Sequence, residues 1–133
     1  MLQHPRAMLG TDGIYQPGGH VHPRVFGSSG RFLGELVREK KLMSLTEAVH
    51  KMTGLPAWRF GLTGRGEIKV DNYADLVVFD PLTIEGPASY DDPCQYTRGV
   101  KQLLVNGQSV VSDGDAVELK EPRPGRFLKY RSG

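Results

Sequence analysis

Asp12 is the first residue of this sequence whose type and position could support chemistry. It follows the short apolar run Ala7-Met8-Leu9-Gly10 and precedes Gly13. A run of this kind is consistent with a buried strand, and Asp-Gly predicts a turn directly after it. Because catalytic groups of α/β proteins lie at the carboxyl ends of strands, the Asp12 carboxylate is a candidate catalytic group. An ordinary Asp-Gly turn is the structural alternative.

Three more candidates lie in the segment 14–30, which its glycines and prolines predict to be a long loop. His20 and His22 have the i, i+2 spacing with which two imidazoles can face one metal ion, although two ligands do not make a zinc site. Arg24 follows Pro23, and its planar guanidinium can bind a carboxylate through two N–H groups. Loop-surface histidines and a structural ion pair are the alternatives.

The composition bounds the class of protein. With 133 residues, 38% hydrophobic and 24% charged, the chain is expected to form about one soluble domain. The net charge is only +2 and the basic residues form no unbroken run, so nucleic acid is not an expected partner. No apolar stretch approaches the roughly 20 residues that cross a bilayer, and we expect neither a membrane partner nor a secretion signal. The single cysteine, Cys94, is expected to be an inert thiol in a reducing cytoplasm.

Helical periodicity dominates the first half of the chain. One apolar face predicts a helix from Arg31 to Lys40; its residues are Phe32, Leu33, Leu36 and Val37. Ser44 begins a capping-box sequence at the start of a second helix, which Gly54 ends. A third short helix follows, and its Trp58 and Phe60 are expected to be core residues.

Extended patterns dominate the second half. Ile68 and Val70 alternate with polar residues and predict a strand, and Asp71-Asn72 suits a tight turn after it. The apolar run Leu76–Phe79 predicts a second, buried strand.

A hairpin is predicted after these strands. Asn106-Gly107 accepts the positive φ values of a type I′ turn and lies between the apolar segments Val100–Val105 and Gln108–Val111. Asp113-Gly114 predicts another turn before a weak strand at Ala116-Val117. Together these patterns predict an α+β chain with a helical first half and a β-rich second half.

Several motifs follow one another along nearly the whole chain. They are Thr11-Asp12-Gly13, His22-Pro23-Arg24, Leu33-Gly34-Glu35-Leu36-Val37-Arg38-Glu39, Arg65-Gly66-Glu67-Ile68, Ala74-Asp75-Leu76-Val77, Val105-Asn106-Gly107 and Pro124-Gly125-Arg126. In this order they resemble the C-terminal part of the N-acyl-D-amino-acid deacylases (D-aminoacylases) of the amidohydrolase superfamily. The Ala-Asp-Leu-Val motif is shared across that superfamily, whereas the second and third motifs point to the deacylases.

The resemblance implies a metal-dependent hydrolase of N-acyl-D-amino acids, built on a (β/α)8 barrel with a small β-sandwich. Residues 1–62 would hold the last barrel strand, the active-site loop and flanking helices, and residues 63–133 would hold part of the sandwich and a basic tail. Asp12 would take a proton from the metal-bound water and deliver it to the leaving amine. Arg24 would hold the substrate's α-carboxylate, with His22 as a further substrate-binding candidate.

The resemblance also implies that the barrel is incomplete. A barrel needs about 250 residues, and this chain would supply one strand of eight. The ligands of the zinc ion would lie mostly outside this chain, and no metal ligand within it is certain. We therefore expect the isolated chain to be inactive, and an upstream half or a second copy of itself to cover its exposed strand and helices.

Two alternatives remain open from the sequence. The chain could be a non-catalytic remnant that serves as a structural or oligomerising module, in which Asp12 and Arg24 are ordinary loop residues. It could also belong to a cyclic amidohydrolase of the dihydroorotase or hydantoinase type, since these enzymes share the Ala-Asp-Leu-Val strand.

Overall fold

The fold is taken from a computed structural model, which describes residues 1–14 and 17–128. The helical part comes first: α1 (Arg24–Arg31), a π-helix (Phe32–Glu39) that continues it, α2 (Leu45–Met52) and α3 (Gly54–Arg59). The strands follow as β1 (Leu76–Phe79), β2 (Val100–Val105), β3 (Gln108–Ser112) and β4 (Asp115–Ala116). The order of helices and strands is the predicted α+β order.

Two compact units share these elements. One, here the helix unit, consists of Leu9–Ala48 and Asp80–Gly99. The other, the sheet unit, consists of Met1–Met8, Val49–Phe79 and the chain from Val100 onward. The assignment of residues 1–62 to a barrel and 63–133 to a sandwich stays a prediction.

The sheet is an antiparallel meander in which β1, β2, β3 and β4 lie side by side in sequence order. The predicted hairpin is confirmed, with Val105 opposite Gln108 and with φ values of 48° at Asn106 and 81° at Gly107. Positive φ at both central residues is what a type I′ turn requires, and Asn and Gly tolerate it. The last strand is Asp115–Ala116, one residue earlier than predicted.

The strand β1 has the predicted position but lies at the edge of the sheet. It pairs only with β2 among the described strands, and Val77 and Val78 are half exposed rather than buried. The strand was therefore predicted correctly, but its predicted burial is wrong. An edge strand has a neighbour on one side only, so its side chains are covered on that side only.

The strand predicted at Ile68 and Val70 does not form, and Ile68 is 92% exposed. The segment lies between two turns, with positive φ at Gly66 (81°) and at Asp71 (69°). The Asn72 side chain closes the loop by donating to the carbonyl of Glu67 at 3.0 Å. The turn was predicted correctly, but so short a loop leaves no room for ladder pairing.

A polar network joins three separate segments of the sheet unit. The Asp75 carboxylate accepts the backbone N–H of Asn106 at 2.7 Å and forms an ion pair with Arg65. Arg65 also donates to the Asn106 side chain at 3.2 Å and lies over the ring of Tyr73, with its guanidinium carbon 4.3 Å from the centroid. The Asn106 amide in turn donates to the carbonyl of Pro124. The Arg65 side chain, which is 11% exposed, therefore holds the loop and the hairpin turn, and Asn106 connects the turn to the tail.

Trp58 and Phe60 are not core residues, which corrects the prediction from their size. Trp58 is 77% exposed, whereas its neighbour Ala57 is buried against Gly66. Successive side chains of an α-helix point about 100° apart, so the close approach at Ala57 turns Trp58 away from that contact. Gly61 ends the helix with a φ of 62°, as expected of a C-terminal glycine.

The helix unit depends on a glycine face. A Cβ atom at Gly30 would lie 2.5 Å from the carbonyl oxygen of Glu85, and one at Gly34 would lie 2.5 Å from that of Ile84. Arg38 reinforces this contact by donating to the Ile84 carbonyl at 2.6 Å. The backbone of residues 84–86 thus packs directly on the helix surface, and a small apolar core forms beside it from Phe32, Leu33, Val37 and Ile84.

The same contact explains why the helical part begins earlier than predicted. The segment 14–30 is not a loop throughout, because α1 begins at Arg24 and includes Gly27 and Gly30. Glycine weakens a helix by about 1 kcal/mol relative to alanine, so its helical state here is stabilised by the tertiary approach of residues 84–86. The helix predicted from Arg31 to Lys40 forms as the π-helix Phe32–Glu39.

Other local predictions are resolved simply. The Ser44 hydroxyl accepts the Glu47 backbone N–H at 3.1 Å, so the predicted cap of the second helix is confirmed. The strand predicted at residues 7–10 does not form among the described residues. A strand needs a neighbour that supplies ladder hydrogen bonds, and these residues have none in the described sheet.

Replacing Gly34 with alanine should destabilise the helix unit. The new methyl group would meet the Ile84 carbonyl oxygen at 2.5 Å and force the two backbones apart, at a cost of about 1–3 kcal/mol. Chemical denaturation of Gly34→Ala measures this loss. Gly10→Ala is the matched control, because nothing lies within 4 Å of its added Cβ; equal stability of the two variants would contradict the glycine face.

Replacing Asp75 with alanine should destabilise the sheet unit by about 1–3 kcal/mol, because it removes the ion-pair partner of the largely buried Arg65 and the acceptor of the Asn106 N–H. Asp115→Ala, which removes an exposed carboxylate from β4, should change the free energy of unfolding by less than about 0.5 kcal/mol. An equal loss of unfolding free energy in both variants would show that the network around Arg65 does not stabilise the sheet unit.

Candidate active site

Asp12 and Arg24, predicted separately, lie together in the helix unit. Asp12 Oδ2 is 3.2 Å from Arg24 Nη2. Asp12 has a φ of 45°, in the left-handed region that aspartate tolerates, and Gly13 follows it. This conformation turns the chain so that the carboxylate reaches the first residue of α1. The side chains are 71% and 42% exposed, so the pair is accessible to solvent.

His22 fixes the start of α1. Its Nδ1 accepts the backbone N–H of Arg24 at 3.1 Å, and its carbonyl accepts the N–H of Val25 at 3.0 Å. The first N–H groups of a helix have no partner within the helix, so this imidazole satisfies one of them. Asp12 and His22 therefore both contact Arg24 at the beginning of α1, Asp12 through its carboxylate and His22 through its imidazole.

Tyr90 completes the group and was not predicted from the sequence. Its hydroxyl lies 3.2 Å from His22 Nε2, and the two rings meet edge to face with centroids 5.2 Å apart. A turn presents it: the Asp92 N–H donates to the Ser89 hydroxyl at 3.1 Å, and the Ser89 N–H donates to the Asp92 carbonyl at 3.1 Å. The sequence does show turn-forming residues in the segment Ser89–Asp92, but their types alone do not connect this segment with Asp12 or Arg24.

A cavity of about 100 Å³ adjoins the Arg24 side chain. Its walls include His22, Gly27, Ser28 and Tyr90. A water molecule occupies about 30 Å³ of the liquid, so the cavity has room for a group of a few heavy atoms, such as a carboxylate.

The second arginine of the cavity wall, Arg31, is engaged elsewhere. Its Nε donates to Glu35 Oε2 at 2.5 Å, and Lys40 donates to the other oxygen of that carboxylate. The hydrogen bonds from Lys40 and then from Arg31 lower the pKa of Glu35 to about 2. Glu35 therefore stays ionised and holds Arg31, while Arg24 forms its ion pair with the exposed Asp12.

The described residues do not by themselves fit a zinc ion. Within residues 1–14 and 17–128 no group of three or more histidine, cysteine, aspartate or glutamate side chains converges on one point. His20 and His22 are both exposed. No third metal-ligating side chain among the described residues joins this pair. The geometry offers instead a guanidinium that lines the cavity and a carboxylate in contact with it. A guanidinium can bind an anion, and a carboxylate can exchange a proton.

The comparison with known families identifies the class of protein to which this chain belongs. The pattern of the amidohydrolase family matches residues 1–111, which is most of the chain. The chain therefore belongs to the amidohydrolase family, as the motifs predicted.

Two curated relatives from Alcaligenes xylosoxydans xylosoxydans are similar over nearly the whole chain. An N-acyl-D-glutamate deacylase is 43% identical over 97% of this chain, and an N-acyl-D-aspartate deacylase is 40% identical over 96%. The chain spans about a quarter of the length of each, 25% in both cases.

A solved structure shows the same fold. The N-acyl-D-glutamate deacylase of Bordetella bronchiseptica, complexed with zinc and a phosphonate inhibitor, matches 96% of this chain with a TM-score of 0.82 and 42% identity. The match covers 26% of that protein. At this identity and coverage, the antiparallel sheet and helices described above have the fold of the corresponding part of that deacylase.

Two further features bear on the predicted setting. Among the described residues no helix has both the length and the apolar character needed to span a bilayer. Cys94 is an exposed free thiol.

Proposed function

We propose that this chain is the C-terminal portion of a deacylase that hydrolyses the amide bond of N-acyl-D-amino acids. The observation that carries the proposal is the contact of Asp12 with Arg24 beside a carboxylate-sized cavity. It unites an exposed proton carrier with an anion-binding group at positions that carry motifs resembling the deacylases. The names of the relatives that match 96% and 97% of the chain support the same substrate class.

Asp12 is the proposed acid/base group. In amide hydrolysis the oxygen of water bonds to the acyl carbon, the carbon–nitrogen bond breaks, and one proton moves from the water to the leaving amine. An exposed carboxylate can take that proton and return it to the nitrogen. Asp12 meets this requirement, because its side chain is 71% exposed and contacts Arg24, which lines the cavity.

Arg24 is the proposed binding group for the substrate's α-carboxylate. The present pair with Asp12 is exposed, and such pairs contribute only about 0–1 kcal/mol. A substrate carboxylate can therefore replace Asp12 at the guanidinium, which releases the Asp12 carboxylate for proton transfer. His22 supports this step by holding the backbone of Arg24.

The remaining parts of the site belong to the rest of a complete deacylase in this proposal. The described residues supply no zinc cluster, and the chain covers a quarter of its relatives, so we propose that the zinc ligands lie mostly elsewhere. Residues 1–62 then contribute the end of a (β/α)8 barrel and residues 63–133 part of a small β-sandwich. An upstream half, or else a second copy of this chain, is the proposed partner, and the isolated chain is inactive.

The two alternatives from the sequence have less support. A structural remnant does not require Asp12 and Arg24 to meet beside a cavity, yet they do. A cyclic amidohydrolase would be expected to match ring-opening enzymes over its whole length, whereas the relatives matched over nearly all of this chain are named for open N-acyl amino acids.

The test replaces the matching quarter of the Alcaligenes N-acyl-D-glutamate deacylase with these 133 residues. We expect the isolated chain to show no turnover of N-acetyl-D-glutamate with added zinc, and the chimera to hydrolyse it. Asp12→Asn should lower kcat of the chimera by about 10²–10⁴, because asparagine tolerates the same backbone conformation but its amide cannot take up and return a proton.

Asp113→Asn is the matched control, since it removes an exposed carboxylate that also has a positive φ, 53°, but lies in the sheet unit, and it should leave kcat unchanged. Circular dichroism establishes that each chimera is folded. A folded chimera whose rate is indifferent to Asp12→Asn contradicts the assignment of the proton carrier. Faster turnover of hydantoin than of N-acetyl-D-glutamate would favour the cyclic amidohydrolase instead.

A further inference from the structure

We propose that Tyr90 is a positioning residue of the carboxylate-binding site and acts on Arg24 through His22. The inference rests on the proposed role of Arg24 and extends it to the segment 80–99, which no motif had connected with the site. Two hydrogen bonds connect Tyr90 with Arg24. The Tyr90 hydroxyl contacts His22 Nε2, and His22 Nδ1 accepts the backbone N–H of Arg24.

The hydrogen bonds of His22 determine which ring nitrogen carries the proton. Its Nδ1 accepts the Arg24 N–H and must be unprotonated. A neutral imidazole then carries its proton on Nε2, which donates to the Tyr90 hydroxyl oxygen at 3.2 Å. Tyr90 thus stabilises the tautomer in which His22 can hold the backbone of Arg24.

The geometry also limits the motion of the imidazole. The edge-to-face contact of the two rings, with an angle of 72° between their planes, restricts rotation of the His22 ring. A fixed ring keeps Nδ1 on the Arg24 N–H, and α1 then begins at one defined residue. The backbone of Arg24 consequently has a fixed position at the start of α1. This position favours a paired contact of its guanidinium with a planar carboxylate.

Close packing of the segment on α1 makes Tyr90 a rigid support. A Cβ atom at Gly86 would lie 2.3 Å from the carbonyl oxygen of Gly27, so the two backbones touch. The Ala88 methyl group lies 3.1 Å from the position of a Cβ at Gly27. The Gln95 side chain braces the same segment by donating to the Pro87 carbonyl at 3.2 Å.

The first experiment measures the 15N signals of the histidine ring and the Arg24 amide in the 133-residue chain. It is done at about pH 8, where an ordinary histidine is neutral. We expect a protonated Nε2 and an unprotonated Nδ1 at His22. Tyr90→Phe should shift the His22 Nε2 signal and the Arg24 amide signal, because it removes the acceptor for the Nε2 proton.

Tyr96→Phe is the matched control. Tyr96 lies on the same segment and packs edge to face on Phe26 of α1, with centroids 5.5 Å apart, and this ring contact survives the substitution. The variant should leave the His22 and Arg24 signals in place. Equal shifts in both variants, or none with Tyr90→Phe, would overturn the inference.

The second experiment separates the inference from the proposed function. In the chimera, Tyr90→Phe should raise KM for N-acetyl-D-glutamate roughly threefold to tenfold, the effect of one hydrogen bond, with kcat within about twofold of the parent. A KM of Arg24→Ala equal to that of the parent would refute the proposed function. If Arg24→Ala raises KM and Tyr90→Phe has the KM of the parent, the positioning role of Tyr90 is refuted and the proposed function is not.

Discussion

The close approach of residues 84–86 to the glycine face of α1 and the π-helix is the contact on which the helix unit depends. Side chains at Gly30 and Gly34 would collide with backbone carbonyl groups, so only glycine allows this approach. The approach stabilises helical backbone in a segment whose composition alone favours a loop. It also brings Tyr90 to His22, so the same packing that builds the fold supports the candidate site. In the sheet unit the largely buried Arg65 has the corresponding role, because it binds Asp75 and Asn106, and Asn106 in turn binds the tail at Pro124.

The sequence predicted correctly the turns and the helix cap that depend only on the residues forming them. The Asn106-Gly107 turn, the Ser44 cap and the turn at Asp71 depend on the φ preferences or side-chain oxygens of the residues themselves, and each forms as predicted. Burial was not predictable in the same way. Trp58 and Val77 have core-like side chains yet lie exposed, because burial depends on which segment packs against them. The extension of the helix back to Arg24 was missed for the same reason, since its glycines are stabilised by a segment more than fifty residues away in sequence.

The candidate site shows the same division. Asp12, His22 and Arg24 were found from residue type, turn chemistry and motif resemblance, and the structure brings all three into contact. Tyr90 could not be found, because its role depends on a hydrogen bond across sixty-eight positions. Membership of the amidohydrolase family and the shared fold with a deacylase agree with the motif order. The chain accounts for a quarter of the length of such proteins. It contains Asp12 and Arg24, the proposed proton carrier and the proposed anion-binding group, and its described residues contain no cluster of metal ligands.

The central claim is that Arg24 recognises the substrate's α-carboxylate. The most direct measurement compares kcat/KM of the chimera for N-acetyl-D-glutamate and for its α-carboxamide, with Arg24 and with Arg24→Ala. Hydrogen bonds to a charged group are worth about 1.5–3 kcal/mol, so the free acid should be preferred by roughly tenfold to a hundredfold when Arg24 is present. Arg24→Ala should lower the value for the acid to that for the carboxamide and so abolish the preference. An undiminished preference in Arg24→Ala would contradict the account, because another residue would then bind the carboxylate.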